Sequence, residues 1–555
     1  MSPMKRREAL RLLGLAMAAT LGAACQIGLP GQEQPATSVP TPVPPATRTE
    51  GTGLPTATPP DIAALPAIRL AIDIDPDTLD PAGQTNPTVS SIVDHLAETL
   101  VRLLPDGSVG PGLARRFTQS TDGRAFTFEL RPDVHFHDGG LLDAEAVTLS
   151  LQRFLNPQLR VPQRAPFDSN LVDGIMAIDP LTLRIGLKDT SRLFLQKLAA
   201  TELAIVSPAH ARAFPDNYNE EPIGTGPYRF KERRKGESIV LERFDRYWGK
   251  PPHYPLVQFR IVPEVATRES LLLANQVELI LQPPLSDLPA LQTNANLKVV
   301  KTPTARSTFV AMDLTLPGGT PLAIKKVRQA LNYAVDRDGI IRNLLFGAAT
   351  PLDAPMASTL VGYSRVGGYS YDPNRARQLL LEGGTPHLAL RFTHPTGRSM
   401  QEAMATQLAQ ALAGNLREVG VDTELVGSDW PSFLASISVP EDRGTAHMHL
   451  FNWAPALLDA SQQMTQFVRS QWPPQGLATS HYWNPKVELL VSEAAREPDD
   501  QRRRDQYAEA QRIVWDDAPW IFLWVPSSVI AHSARLTGIA SLPTEKFSAA
   551  YAEPV

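Results

Sequence analysis

Apolar and other residues alternate through Ala67-Ile68-Arg69-Leu70-Ala71-Ile72-Asp73-Ile74, and this period of two predicts a strand with one buried face. Ala125 to Leu130 and Ile239 to Arg243 repeat the pattern. A period near 3.6 runs through Ile324 to Val335, Met400 to Val419 and Lys486 to Val514, predicting helices. Asn374 to Glu382 reads as a further helix, stopped by Gly383-Gly384. Asp106-Gly107 and Asp122-Gly123 are hairpin signals. Strand-like and helix-like segments intermix without a tandem repeat at the usual solenoid periods. The class is α/β with mixed sheets.

Upstream of Leu65 the patterning stops. From Gln26 to about Ala63 the chain is crowded with Pro, Thr, Ala and Gly, as in Pro40-Thr41-Pro42-Val43-Pro44-Pro45. A segment with so few large apolar residues cannot bury a core, and its prolines stiffen it into a spacer. Before it, Lys5, Arg6, Arg7 and Arg11 precede the apolar run Leu12 to Ala24. That run is short for a bilayer span, which needs about 20 apolar residues, and has the small-residue exit of a cleavable signal. It ends at Cys25, the single cysteine of the chain, which therefore has no internal disulfide partner. Leu21-Gly22-Ala23-Ala24-Cys25 resembles a bacterial lipobox, with Gly22 at the usual leucine place and Leu21 one position earlier. The resemblance implies that Cys25 is lipidated and becomes the first mature residue. More than one acyl chain would be needed, because one holds a protein only marginally. Arg6-Arg7 is similar to a twin-arginine signal, although a general secretory signal also begins with positive charge. We thus expect a signal peptide at 1–24, a lipidated linker at 25–63, and an exported body anchored to the outer face of the cell membrane.

The body, from about Leu65 to Val555, is too long for one hydrophobic core and implies two or three domains. The whole chain carries a formal charge of −5. Residues 1–24 hold four cations and Glu8, a net of +3, so the mature form lies near −8. An acidic body of this kind argues against nucleic acid, which needs clustered Lys and Arg.

Ordered motifs then span nearly the whole body. Leu79-Asp80-Pro81 comes first, followed by Glu98-Thr99-Leu100-Val101, Pro111-Gly112-Leu113-Ala114 and Ser120-Thr121-Asp122-Gly123. Phe126 to Arg131 leads into Val134-His135-Phe136-His137-Asp138-Gly139 and Ala144-Glu145-Ala146-Val147. Further on stand Pro222-Ile223-Gly224-Thr225-Gly226-Pro227-Tyr228, Tyr247-Trp248-Gly249, Val327 to Arg337 and Tyr371-Asp372-Pro373. In this order they resemble the family 5 extracellular solute-binding proteins, which serve peptide, nickel and related ABC importers. Most of these motifs read as structural. Gly224 and Gly226 are expected to supply unusual backbone angles at a strand start, and Arg328 and Asp336, which would lie on opposite sides of one helix if both are helical, to pair elsewhere. His135-x-His137-Asp138 and His447-x-His449 have the spacing of paired metal ligands on a strand. No HExxH helix, nucleophile elbow or phosphate loop accompanies them, so neither a metal hydrolase nor a nickel carrier is expected.

The resemblance implies a two-lobed periplasmic-binding-protein clamp that closes on ligand by hinge motion. Its first lobe would comprise 65–305 plus 525–555, with an extra subdomain at 112–222, and its second 306–524. Trp453, beside Asn452, aligns with a cleft-lining tryptophan of peptide-binding relatives. Those relatives place an aspartate three residues later, against the peptide's α-ammonium group; here that position is Ala456. An ammonium buried without a partner is costly by several kcal/mol, which weighs against ordinary peptide binding unless another acid serves. Asp459 is the nearest downstream candidate. Gln84, Thr85, Asn86, Phe309 and Asp313 complete the cleft candidates. No catalytic residue, metal or cofactor is expected, and the partners are a small-molecule or peptide ligand, an ABC permease and, through Cys25, the membrane. A monomer that captures an oligopeptide or dipeptide is the default reading. A non-peptide solute such as a cationic metabolite or oligosaccharide is the alternative, as is a surface interaction protein that has lost transport.

Overall fold

The computed structural model describes residues 67–555, apart from 85, 105–106, 156–166, 168–169, 214–221, 398–399 and 442. The signal, Cys25, the proline-rich segment and Thr85 lie outside the described residues. No helix among the described residues is long and apolar enough to cross a membrane.

Two mixed sheets share one strand, Trp520–Ser533. Its first part pairs with Ser307–Met312 and its second with Leu297–Pro303 and Leu279–Leu281, all antiparallel. Beyond Leu279–Leu281 the first lobe's sheet continues through Ala67–Ile72, Leu256–Ile261, Ser238–Arg243 and Tyr228–Arg234. Beyond Ser307–Met312 the second lobe's sheet continues through Met448–Trp453, Leu388–Thr396 and Val421–Asp429. Ile68, Leu70 and Ile72 face one core while Ala71 faces another, which is the period of two seen in the sequence. Ser307–Met312 is buried along its whole length because both faces are covered. Phe309 and Ala311 enter one core layer, Val310 and Met312 the other.

The chain passes between the lobes twice, side by side, at Thr304–Arg306 and at Val525–Pro526. Pro303 pairs with Ser527 and Thr308 with Trp524, so five steps on one strand face three on the other. An excess of this kind kinks the ladder. Pro526 has no N–H to give to a ladder, and its carbonyl instead accepts from Thr304 N (3.0 Å) and Thr304 Oγ1 (2.9 Å). This tie joins the two crossings.

A four-stranded sheet, ordered Ala114–Gln119, Ala125–Leu130, Thr182–Leu187, Val172–Asp179, forms a separate layer with the helix Ala144–Leu155. Gly123, with φ +72°, makes the predicted hairpin turn. The helix Pro373–Glu382 ends at Gly383, and Gly384 has φ +72°. The periodic stretch Lys486 to Val514 proves to be two helices, Pro485–Ala494 and Asp500–Asp517. Pro498 interrupts it, and Asp499 caps the second helix through Arg502 N at 2.8 Å. Arg328 and Asp336 likewise do not share a helix. Arg328 lies in Lys325–Tyr333, whereas Asp336 caps Arg337–Asn343 through Gly339 N (2.8 Å).

Three of the ordered motifs meet at Glu98. Its carboxylate accepts from Thr225 Oγ1 (3.0 Å), Tyr247 Oη (3.0 Å) and Trp248 Nε1 (2.8 Å). Burial pushes this carboxyl up to about 7, against the pull of those donors and of Arg131. Because the folded pKa is raised, the folded form keeps a proton that the unfolded chain releases. Stability is therefore lost as pH rises from about 4.5 to about 7. Denaturant unfolding at pH 5 and pH 8 is expected to show a loss on the order of 2–3 kcal/mol, which Glu98→Gln abolishes. An unchanged slope in the variant would refute this assignment.

Candidate ligand-binding cleft

Between the lobes, in front of the two crossings, lies a cavity of about 290 Å³. Pro87 and Ser90 enter it from the helix Pro87–Val93, which Asn86 caps through Thr88 N (2.9 Å) and Val89 N (3.3 Å). Gln196 and Ala199 to Glu202 line it from the end of the helix Phe194–Leu198 and the single turn Thr201–Leu203. The C-terminal return supplies Pro543 to Lys546. From the second lobe come Ala305, Arg306 and the loop Ala454 to Leu458, which follows the strand Met448–Trp453.

Arg306 also borders two neighbouring hollows. One, of about 410 Å³, is lined by Asn452, Trp453, Trp430 and Leu477. The other, of about 130 Å³, is mostly apolar, with Leu285, Leu345, Leu408 and Trp524. The Arg306 guanidinium donates to both oxygens of Glu545 (Nε to Oε1 2.7 Å, Nη2 to Oε2 3.3 Å) and through Nη1 to Asn452 Oδ1 at 2.8 Å. A planar fork suits this arrangement, since bidentate pairing fixes both partners. Lys546 is similarly held, by Asp94 Oδ2 (2.8 Å) and Thr201 Oγ1 (2.9 Å), with Thr201 in turn donating to Asp94 Oδ1 (2.7 Å). Glu202 has no such side-chain partner among the described residues. Burial raises its carboxyl above the ordinary carboxylate range, its own backbone N–H and Lys546 oppose this, and Asp94 adds to it.

Of the residues singled out in the sequence, Trp453 and Asn452 lie at this cleft and Ala456 lines its central cavity. Trp453 also packs on the second lobe's core. Asn86 borders the cleft through the helix it caps. Thr85 lies outside the described residues, and the other candidates have their side chains engaged within the fold. Asp459 is buried and ion-paired to Arg503 Nη2 at 2.6 Å, while capping Ala460–Gln463 through Ser461 N (2.8 Å). Gln84 is buried, its Nε2 donating to Thr78 O (3.0 Å) and Asp80 O (2.7 Å). Phe309 stacks on Trp520 in the core, with ring centroids 3.5 Å apart. Asp313 is buried against His481 Nδ1 at 3.1 Å and accepts from Thr315 N at 2.9 Å. Burial commits all four side chains to the fold, and polar contacts satisfy Asp459, Gln84 and Asp313 there.

The histidine pairs do not converge. His137 Nε2 meets Gly226 O (3.0 Å), and its burial lowers the imidazole pKa to about 4. His135 Nε2 meets Arg246 Nη2 (2.8 Å), and Asp138 accepts from Ser207 Oγ. His447 Nδ1 accepts from Arg391 N (3.0 Å), while His449 is buried against Thr479. Among the described residues no group of three or more His, Cys, Asp or Glu is placed to hold a metal ion.

Arg306 and Glu202 escape a motif-based reading. Each is a lone charge in a run of small and apolar residues, Thr304 to Met312 and Ala199 to Val206. That is the one signal in the sequence that marks them, because an isolated charge in such a run needs a partner or a ligand.

The model for bacterial extracellular solute-binding proteins, family 5 Middle, matches residues 108–475. The chain belongs to this family. Family 5 members are substrate-binding proteins of ABC importers, found in the periplasm or outside the cell, and this chain is such a solute-binding protein. The glutathione-binding protein GsiB of Pectobacterium atrosepticum is 30% identical over 475 residues, covering 85% of this chain and 91% of the relative. The fold is similar to HbpA2 from Haemophilus parasuis, with TM-score 0.79 and 22% identity over 88% of this chain and 100% of that one. It is also similar to the ABC transporter-associated periplasmic binding protein DppA from Helicobacter pylori, solved with peptide STSA. There the TM-score is 0.68 and the identity 24%, over 87% of this chain and 98% of that one. Relatives in family 5 are binding proteins and not enzymes.

Proposed function

We propose that this chain captures a short peptide in its interlobe cleft and delivers it to an ABC permease, with no catalytic step of its own. The observation that carries this reading is the cavity of about 290 Å³ lined from both lobes. It opens beside Trp453 and Trp430, whose faces offer apolar area to side chains. The lobes comprise 65–305 with 525–555 and 306–524, with 112–222 as an appended subdomain. Contacts from both are what a ligand needs to favour the closed form. The relation to glutathione-binding and peptide-binding proteins makes small peptides the first substrates to try. Within this reading the protein is a monomer held outside the cell membrane by lipid on Cys25, with residues 25–63 as its tether.

Native mass spectrometry of the purified full-length chain, before and after addition of glutathione and the dipeptide Met-Leu, tests the proposal. One peptide per chain is the expected adduct. A co-purified non-peptide solute with no peptide adduct would replace the reading with the second one, a non-peptide solute such as a cationic metabolite or oligosaccharide. An empty chain in all spectra would overturn both.

A further inference from the structure

We propose that Glu202 is the anionic anchor for a primary ammonium group of the ligand, filling from the first lobe the role that Ala456 leaves vacant on the second. The inference rests on the reading of the interlobe cavity as the ligand site.

Glu202 and Ala456 line the same cavity. Around it, Asp94, Glu202 and Glu545 carry negative charge, and Arg306 and Lys546 positive charge. Glu545 is neutralised by Arg306 in a bidentate pair and Asp94 by Lys546. That leaves Glu202, and a net charge of −1 for the group. Lys546 is the nearby cation that would otherwise serve Glu202, but its ammonium is already held by Asp94 and Thr201. The backbone carrying Glu202 is fixed on both sides. Thr201 Oγ1 is tied to Asp94, and Leu203 N and Ala204 N bond back to Ala200 O (2.9 Å) and Thr201 O (3.0 Å). A carboxylate on a rigid turn, partly removed from water and drawn only at a distance by Lys546, whose ammonium Asp94 and Thr201 already hold, is unfavourable until a positive group arrives. A ligand ammonium supplies that group and gains the charge-assisted hydrogen bond. It also joins the first lobe to whatever the rest of the ligand touches near Trp453, which is the coupling that closure requires.

Isothermal titration calorimetry of the full-length chain and of Glu202→Gln separates the possibilities. The probes are Met-Leu and glutathione, each with a free and an acetylated amine, and cadaverine as a non-peptide ammonium. The wild type is expected to prefer the free amine by about 100-fold, and Glu202→Gln to reduce that preference to about threefold or less. A preference that survives in Glu202→Gln overturns the assignment and leaves peptide binding standing. If the peptides fail while cadaverine binds and needs Glu202, the assignment stands and the peptide reading falls. Binding of no probe overturns both. Should the Gln variant fold poorly, Glu202→Asp draws the charge back by one methylene. It is expected to weaken the free-amine probes about tenfold and leave the acetylated ones unchanged; equal affinities for wild type and Glu202→Asp would overturn the proposal.

Discussion

Replacing Arg503 by Met is expected to destabilise the second lobe by about 3–5 kcal/mol, because it leaves the Asp459 carboxylate buried without its counter-charge. The pair is closed off from water, with side-chain exposures of 8% for Arg503 and 4% for Asp459. The guanidinium also lies over the Tyr507 ring, 4.9 Å from its centroid, and that contact is lost as well. After the change, Asp459 keeps its capping bond to Ser461 N, which cannot offset a buried charge. Asp459→Asn in the Arg503→Met background should recover about half of the loss, since a neutral amide can still cap and needs no cation. Urea unfolding followed by tryptophan fluorescence reads this directly, with Trp515 and Trp520 reporting from the second lobe's core. A loss below about 1 kcal/mol for the single variant would contradict the argument. The pair also matters for the cleft. Ala454 to Leu458 spans from the strand Met448–Trp453 to Asp459, so loosening Asp459 frees the loop that lines the cavity. Ligand affinity should therefore fall in Arg503→Met even at temperatures where the lobe remains folded.

Gly226→Ala is the second large effect, expected to destabilise the first lobe by about 3 kcal/mol or more. A Cβ at Gly226 would lie 2.4 Å from His95 O and 2.7 Å from Leu96 C, and one at Gly224 would lie 2.3 Å from Leu96 O. All of these are backbone atoms, which cannot swing aside as a side chain can. The two segments are laced together by Gly226 N to Leu96 O (3.0 Å) and Tyr228 N to His95 O (3.1 Å), so relieving the clash breaks the lacing. Gly236→Ala is the control. Its φ of +75° strains any other residue, but nothing lies within 4 Å, so the loss there should be only about 1–2 kcal/mol. Thermal and denaturant midpoints of the two variants compare these directly. Equal losses would show that the close approach of His95 and Leu96 adds nothing at Gly226.

That distinction marks one limit of reading the sequence. The motif around Gly224 and Gly226 is plain in the chain, and unusual backbone angles are the natural reason for its glycines. Neither residue is among those with positive φ, and the requirement is instead room for the segment His95 to Ala97. Close approach depends on a partner some 130 positions away, which local spacing does not encode. The same reason hides much of the cleft. Trp453 and Asn452 are found because they belong to a strand end that the resemblance aligns. Arg306 and Glu202 gain meaning only once Glu545 and Lys546 return from the far end of the chain. Asp459 misleads for the opposite reason. Its distance from Ala456 along the sequence is short, but Arg503 draws its carboxylate into the core. Strand and helix periodicity is read well where one face is buried, as at Ala67–Ile72, and less well where a capping Asp and a Pro split one periodic stretch into two helices.

The strand Trp520–Ser533 has a consequence for how the molecule is made. It is a shared member of both sheets and follows all their other strands in the chain. Ala67–Ile72, at the opposite end of the described residues, pairs with Leu256–Ile261 on one side and is linked to this strand by Leu279–Leu281, which pairs with His532, Ala531 and Ile530. Neither sheet can be completed during synthesis until Trp520–Ser533 has emerged, so the lobes are not independent folding units that mature in turn. Contacts of such long sequence separation slow folding. A chain cut before Trp520 would lose the centre of each sheet at once, and should be cleared as an unfolded polypeptide instead of surviving as one working half.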